Sequence, residues 1–170
     1  MAVWRPCGGA GGDRYARIVK HGPIALVGSS GGHLAHLLVL RPWWSEYDRF
    51  WVTFDTADAR ETLALERTYW CHHPTNRHLG NLLRNTLLAS RILGRERPAL
   101  IVSTGAAVAV PFFYLGRLLG ARTIFIEVVD RIDTPTLTGR LVAPVTDELL
   151  VQWPEQLALY RGARHIGRLL

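Results

Sequence analysis

Short runs of β-branched and aromatic residues alternate along the chain with segments of helical period, and this alternation constrains the fold most. Ile24 to Val27 precedes His33 to Leu40, Phe50 to Phe54 precedes Ala57 to Arg67, and Tyr69 to Cys71 precedes Leu79 to Leu93. The second half repeats the pattern, with Leu100 to Val102 before Val110 to Leu119, Thr123 to Glu127 before Leu137 to Val142, and Leu149 to Val151 before Pro154 to Tyr160. Such alternation buries strands on both faces and predicts a parallel sheet sandwiched by helices, a Rossmann-like α/β fold of about six strands. Ligands are then expected beyond the carboxyl ends of the strands. A chain of 170 residues fits one such domain, here residues 22–170. Residues 1–21 carry Gly8, Gly9, Gly11 and Gly12 with no apolar period and predict a flexible tail.

The uncharged run from Ala99 to Gly116 has nearly the length of a membrane span, but it contains Ser103, Thr104, Gly105 and Pro111. It divides more naturally into a strand, a turn and a helix. Two cysteines, Cys7 and Cys71, are too few for a disulfide framework, which favours a reduced, cytoplasmic setting. Neither the Cys71-His72-His73 cluster nor the His33, His36 pair has metal-ligand spacing, so no metal site is predicted.

Val27-Gly28-Ser29-Ser30-Gly31-Gly32-His33 is a strand running through a glycine turn into a helix. Glycines permit close backbone approach there, and the helix N-terminus attracts an anion such as a diphosphate. The alternative is a plain strand-to-helix turn. The spacing is neither G-x-G-x-x-G nor a Walker loop, so NAD and ATP lack their usual warrant and no cofactor is predicted. His33, in the first helical turn, has an ordinary pKa suited to general-base work, or it bonds only its own loop. The same stretch matches G-x-S-x-G with Ser30 as nucleophile, and Asp133 or Asp147 with His165 would complete a hydrolase order.

The net charge of +6 is carried by arginine, since Lys20 is the only lysine, and arginine favours phosphates and carboxylates. Arg77, Arg84, Arg91 and Arg95 form one stripe of a helix, with Leu79, Leu82, Leu83, Leu87 and Leu93 on the opposite side and Leu88 and Ile92 beside the stripe. Arg84, Leu88, Arg91, Ile92 and Arg95, together with Arg77, are the expected contacts with an anionic membrane surface. A solvated charged face is the alternative. Nucleic acid is not expected, because no base-reading motif occurs and the aromatics are dispersed.

Gly28-Ser29-Ser30-Gly31-Gly32-His33-Leu34, Asn76-Arg77, Ser103 to Pro111, Glu127 with Arg131, Leu137-Thr138-Gly139-Arg140 and Val151-Gln152-Trp153 together resemble, in order and spacing, one family. It is the PssD-type exopolysaccharide glycosyltransferase subunit, similar to the membrane-recruiting subunit of the eukaryotic dolichol-linked UDP-N-acetylglucosamine transferase. The resemblance covers residues 22–170 and implies the amino-terminal, acceptor-binding half of a split GT-B glycosyltransferase related to MurG. A separate chain would then supply the UDP-sugar half, with a polyprenyl-diphosphate-linked saccharide as acceptor. Under this resemblance Ser30, Gly31 and Gly32 belong to a first diphosphate loop, Gly105 and Ala106 to a second, and Glu127 with Arg131 to the cleft. His33, and less readily Glu127, is the expected catalytic base, and Trp153 the expected partner contact. Residues 1–22 are too polar to span a membrane, so a peripheral, cytoplasmic-side attachment is expected. Val128-Val129-Asp130 departs from the small and aromatic residues that the family pattern leads one to expect there. A recruiter that does no chemistry, and a hydrolase built on Ser30, are the competing readings.

Overall fold

A computed structural model of the chain describes residues 12–74 and 79–169. Seven parallel strands form one sheet in the order β3-β2-β1-β4-β5-β6-β7, with β1 at Ile24–Val27, β2 at Arg49–Phe54, β3 at Thr68–Cys71 and β4 at Leu100–Ser103. β5 is Arg122–Ile126, β6 Glu148–Val151 and β7 Arg164–His165. β1 is central, pairing Ile24 to Val27 with Arg49 to Val52 on one side and with Leu100 to Ser103 on the other. All four of its residues are buried, which is why the run is continuously apolar rather than alternating.

Each face of the sheet carries its own core. Leu26, Trp51, Val102, Ile124 and Leu150 pack on one side with α1 (Gly12–Ile18), α2 (Gly32–Val39), α3 (Arg41–Trp44) and α4 (Ala57–Thr62). Val27, Phe50, Ile101, Phe125 and Val151 pack on the other with α5 (Leu79–Glu96), α6 (Ala109–Leu118) and α7 (Leu137–Val142). The uncharged run from Ala99 to Gly116 does divide into β4, a turn and α6, and no described helix is long and apolar enough to cross a membrane.

Three expectations need correction. The seventh strand, β7, was not anticipated, because two exposed residues carry no hydrophobic signal. The expected tail does not extend to residue 21: Gly12–Ile18 is helical, and Tyr15 is 2% exposed, edge-on to Trp43 at 6.1 Å between ring centroids. One buried aromatic with Ile18 and Val19 anchors a segment whose glycines and arginines hide it from composition, while residues 1–11 lie outside the described residues. The third correction concerns α5, whose inward face is Asn81, Asn85, Ala89, Ile92 and Leu93. Ile92 is 3% exposed and Leu88 packs partly against the core, whereas Leu82, Leu83 and Leu87 are exposed.

Two asparagines explain that rotation. Asn85 accepts from the His72 N–H at 2.9 Å and donates to its carbonyl at 2.9 Å, extending β3 as a further strand partner would, and Asn81 donates to the Pro74 carbonyl at 2.9 Å. Buried backbone groups require such partners, so the amides face inward and the leucines turn out. Replacing Tyr15 by Ala is expected to lower unfolding free energy by about 3 kcal/mol in urea denaturation, the range for a buried aromatic; a change under roughly 0.5 kcal/mol would restore the tail.

Candidate functional site

The chain connections leave β1 and β4 in opposite directions, and this switch point opens a crevice at their carboxyl ends. The β1–α2 and β4–α6 loops meet there. His33 Nδ1 lies 2.8 Å from the Thr104 carbonyl, and Thr104 Oγ1 donates to the His33 carbonyl at 2.8 Å. A carbonyl only accepts, so Nδ1 carries the proton, and in the neutral ring Nε2 is left with its lone pair. Burial is the largest influence on the ring and holds its pKa below 6.5, against the opposing Thr104 bond and the Asp130 and Glu127 charges. His33 is therefore a neutral base at pH 7.

Gly105 makes room for that ring. A β-carbon there would lie 2.4 Å from His33 Cε1, and its φ of +131° is unfavourable for other residues. Its N–H donates to Ser103 Oγ at 3.0 Å. The expected role of Gly105 as a backbone donor to diphosphate is thus corrected to one of space, since its donor is already used. Ala106 follows at φ +71°, a left-handed turn that lifts the chain into α6. In the first loop Gly31 has φ +74°, and both Gly31 and Gly32 are exposed with open space where a side chain would stand. The Gly31 N–H interacts with the Asp58 carboxylate. The remaining donors at that helix start, those of Gly32, His33 and Leu34, have no carbonyl one turn back within the helix and present positive potential to the crevice beside Ser30.

Glu127 does not face the crevice. It is fully buried at the end of β5, with Oε1 accepting from the Val128 N–H at 2.9 Å and Oε2 accepting from the Thr136 N–H and hydroxyl, each at 3.2 Å, and from Tyr160. Burial and the bond to Glu127 push the Tyr160 phenol above its ordinary value, so it remains the donor. Thr136 in turn accepts from the Gly139 N–H at 3.0 Å and caps α7. With its oxygens so engaged, the carboxylate is a structural anchor rather than a base, and no ion pair joins it to the exposed Arg131 among the described residues.

The segment after Glu127 is gripped through its backbone. Gln152 donates to the Glu127 carbonyl, Gln156 to those of Val128 and Arg131, and the Trp153 indole to that of Val129 at 2.7 Å. Trp153 is therefore half-buried against this loop, with the Arg168 guanidinium 5.1 Å from its ring, rather than a surface anchor turned outward. Gln152, Gln156 and Tyr160 carry the loop, and sequence reasoning missed them because the contacts span 25 to 33 residues.

The hydrolase arrangement is not assembled. Ser30 follows β1 and His165 lies in β7, four strand spacings away or about 19 Å. Asp147 sits before β6, at the opposite edge of the sheet, bonded to Arg122 and Thr123. Among the described residues no metal-binding group of acidic, His and Cys side chains occurs. Of the basic stripe, Arg84, Arg91 and Arg95 are exposed beside Leu83 and Leu87, and Arg77, like Asn76, lies outside the described residues.

This architecture is the Rossmann-like domain that forms one half of GT-B proteins. Superposition on Acinetobacter baumannii MurG gives a TM-score of 0.68 at 15% identity, covering 86% of this chain and 45% of that one. A glycosyltransferase from Rickettsia africae gives 0.64 at 12% identity, over 86% of this chain and 42% of that one. Residues 53–169 match the family model described as "Oligosaccharide biosynthesis protein Alg14 like", and the chain belongs to that family. The human protein named UDP-N-acetylglucosamine transferase subunit ALG14 is 25% identical over 178 residues, covering 86% of this chain and 82% of that protein. The Candida albicans protein of that name is 23% identical, over 91% of this chain and 81% of its own length. In the Eremothecium gossypii protein the match is 33% identical but spans 43% of this chain and only 35% of that relative.

Two experiments test this geometry. Since the folded pKa values of His33 and His36 both lie below 6.5, the unfolded chain binds more protons. Stability is expected to be full above about pH 6.5 and to fall as pH drops below it, with a flatter profile for His33→Gln in denaturation at several pH values. Gly105→Ala is expected to displace the imidazole and broaden or shift its NMR resonances, whereas Gly32→Ala, which meets open space, leaves them in place.

Proposed function

We propose that this chain is the acceptor-binding, membrane-associated subunit of a two-component inverting glycosyltransferase. The donor half, a separate chain, would bring a UDP-sugar, N-acetylglucosamine or another hexose, to a polyprenyl-diphosphate-linked saccharide held here. The observation that carries this reading is the neutral His33 ring, its Nε2 lone pair unprotonated, standing at the switch point beside an exposed glycine loop. The α2 N–H groups and the Ser30 hydroxyl bind the acceptor diphosphate. His33 Nε2 takes the proton of the acceptor hydroxyl as its oxygen attacks the anomeric carbon. The bond from that carbon to the UDP oxygen breaks on the opposite face, UDP leaves, and the configuration inverts. The names of the relatives, each a transferase subunit, support the split.

The exposed face of α5 supports membrane attachment. Because α5 returns antiparallel to the strands, Leu82, Leu83 and Leu87 in its first half lie toward the carboxyl edge, where the crevice opens; Arg84 and Arg91 are exposed on the same helix, Arg91 one turn from Leu87. Such a face suits peripheral contact with the anionic cytoplasmic leaflet.

The test is transfer from radiolabelled UDP-N-acetylglucosamine and UDP-glucose to lipid extract, using this chain, the candidate donor subunit, and both together. Activity only in the mixture is expected, with His33→Ala lowering it by roughly a hundredfold or more. A His33→Ala complex at full rate would instead make the chain a recruiter. Reversing Arg84 and Arg91 to Glu is expected to weaken sedimentation with phosphatidylserine vesicles by more than roughly tenfold, and an unchanged affinity would remove α5 from the membrane contact.

A further inference from the structure

His33 and His36 lie on α2 and Asp130 on the loop after β5, and the Asp130 charge acts on both rings. That loop leaves β5 directly beside β4, whose own loop carries the Thr104 carbonyl bonded to His33. On either side of Asp130 the backbone is fixed, the Val129 carbonyl by the Trp153 indole and the Arg131 carbonyl by Gln156. The Asp130 side chain itself is exposed. A short, exposed acid on a rigid backbone keeps a defined position without ordering a long side chain.

His36, one turn below, is 5% exposed, and neither ring nitrogen has a hydrogen-bond partner among the described residues. Burial, and after it the neighbouring His33, push its pKa down, against the opposing Asp130 charge. Glu127, which also acts on His33, is enclosed by its four donors, Arg168 lies on Trp153, and His165 contacts the Gln152 carbonyl. Arg131 is exposed beyond the gripped backbone.

We propose that Asp130 is a positioning residue for the His33 base: its carboxylate, carried on a loop fixed on both sides, stabilises the imidazolium that forms when the acceptor proton is taken. This rests on the glycosyltransferase reading and deepens it. Nδ1 already donates to Thr104, so Asp130 acts through space on the charge rather than by setting the tautomer. Both acids raise the His33 pKa; Glu127 has its oxygens engaged by its own donors, whereas Asp130 is exposed, at a position where the family pattern departs.

The test has two arms. In the chain labelled with isotopic histidine, Asp130→Asn is expected to lower the NMR titration midpoint of His33, and Asp130→Glu to restore it, with thermal midpoints unchanged. In the reconstituted complex Asp130→Asn is expected to reduce kcat by about tenfold with KM for the UDP-sugar unchanged, and to move the acid limb of the pH profile to lower pH. An unmoved His33 midpoint, or a kcat equal to that of the unsubstituted chain, overturns the proposal. A shifted midpoint with no transfer by any unsubstituted complex overturns the glycosyltransferase reading instead, leaving the electrostatic pairing standing without a catalytic use.

Discussion

Two reciprocal hydrogen bonds tie His33 to Thr104, and the site is organised around them. They join the first helix after β1 to the loop after β4, across the one place where the sheet's connections diverge. Each is an ordinary bond of modest net worth, but together they close two loops on one another and fix both a ring orientation and a tautomer. Gly105 is the steric counterpart: a larger residue and the imidazole would compete for the same volume. Rigid strand ends hold both partners, so the site needs no movement of the core to be formed.

The fold was legible because strands buried on two faces leave a strong mark, and β1, β2, β4 and β5 all carry it. The orientation of α5 was not legible, because a helical wheel ranks faces by apolarity alone. The cost of leaving the backbone of residues 72 and 74 unpaired outweighed the gain from burying Leu82 and Leu83, and amides won the inner face. Tyr15 was lost among glycines for the opposite reason, that one large side chain is enough to anchor a turn of helix.

Within the site, His33 was visible from its place in a glycine turn, a local signal. Glu127 was visible as an acid at a strand end, but its meaning depends on Tyr160 and Thr136, which the sequence separates from it. A buried carboxylate is tolerated only when its lone pairs are used, and here the donors come from three different segments. Asp130 had the reverse history. It stood out only as a departure from a pattern, and the loop's backbone bonds show why its position is well defined.

Gln152 links more than its own loop. Its carboxamide nitrogen donates to the Glu127 carbonyl, and its oxygen accepts from the Leu169 N–H at 2.9 Å, so one side chain spans from the end of β5 to the segment after β7. Ile166 and Leu169 rest on the same core face as α2. The path from residue 169 to the gripped loop is therefore two hydrogen bonds through a single rigid amide, short enough that the two cannot be set independently. Register in the last segment and the shape of the crevice wall are, mechanically, one variable.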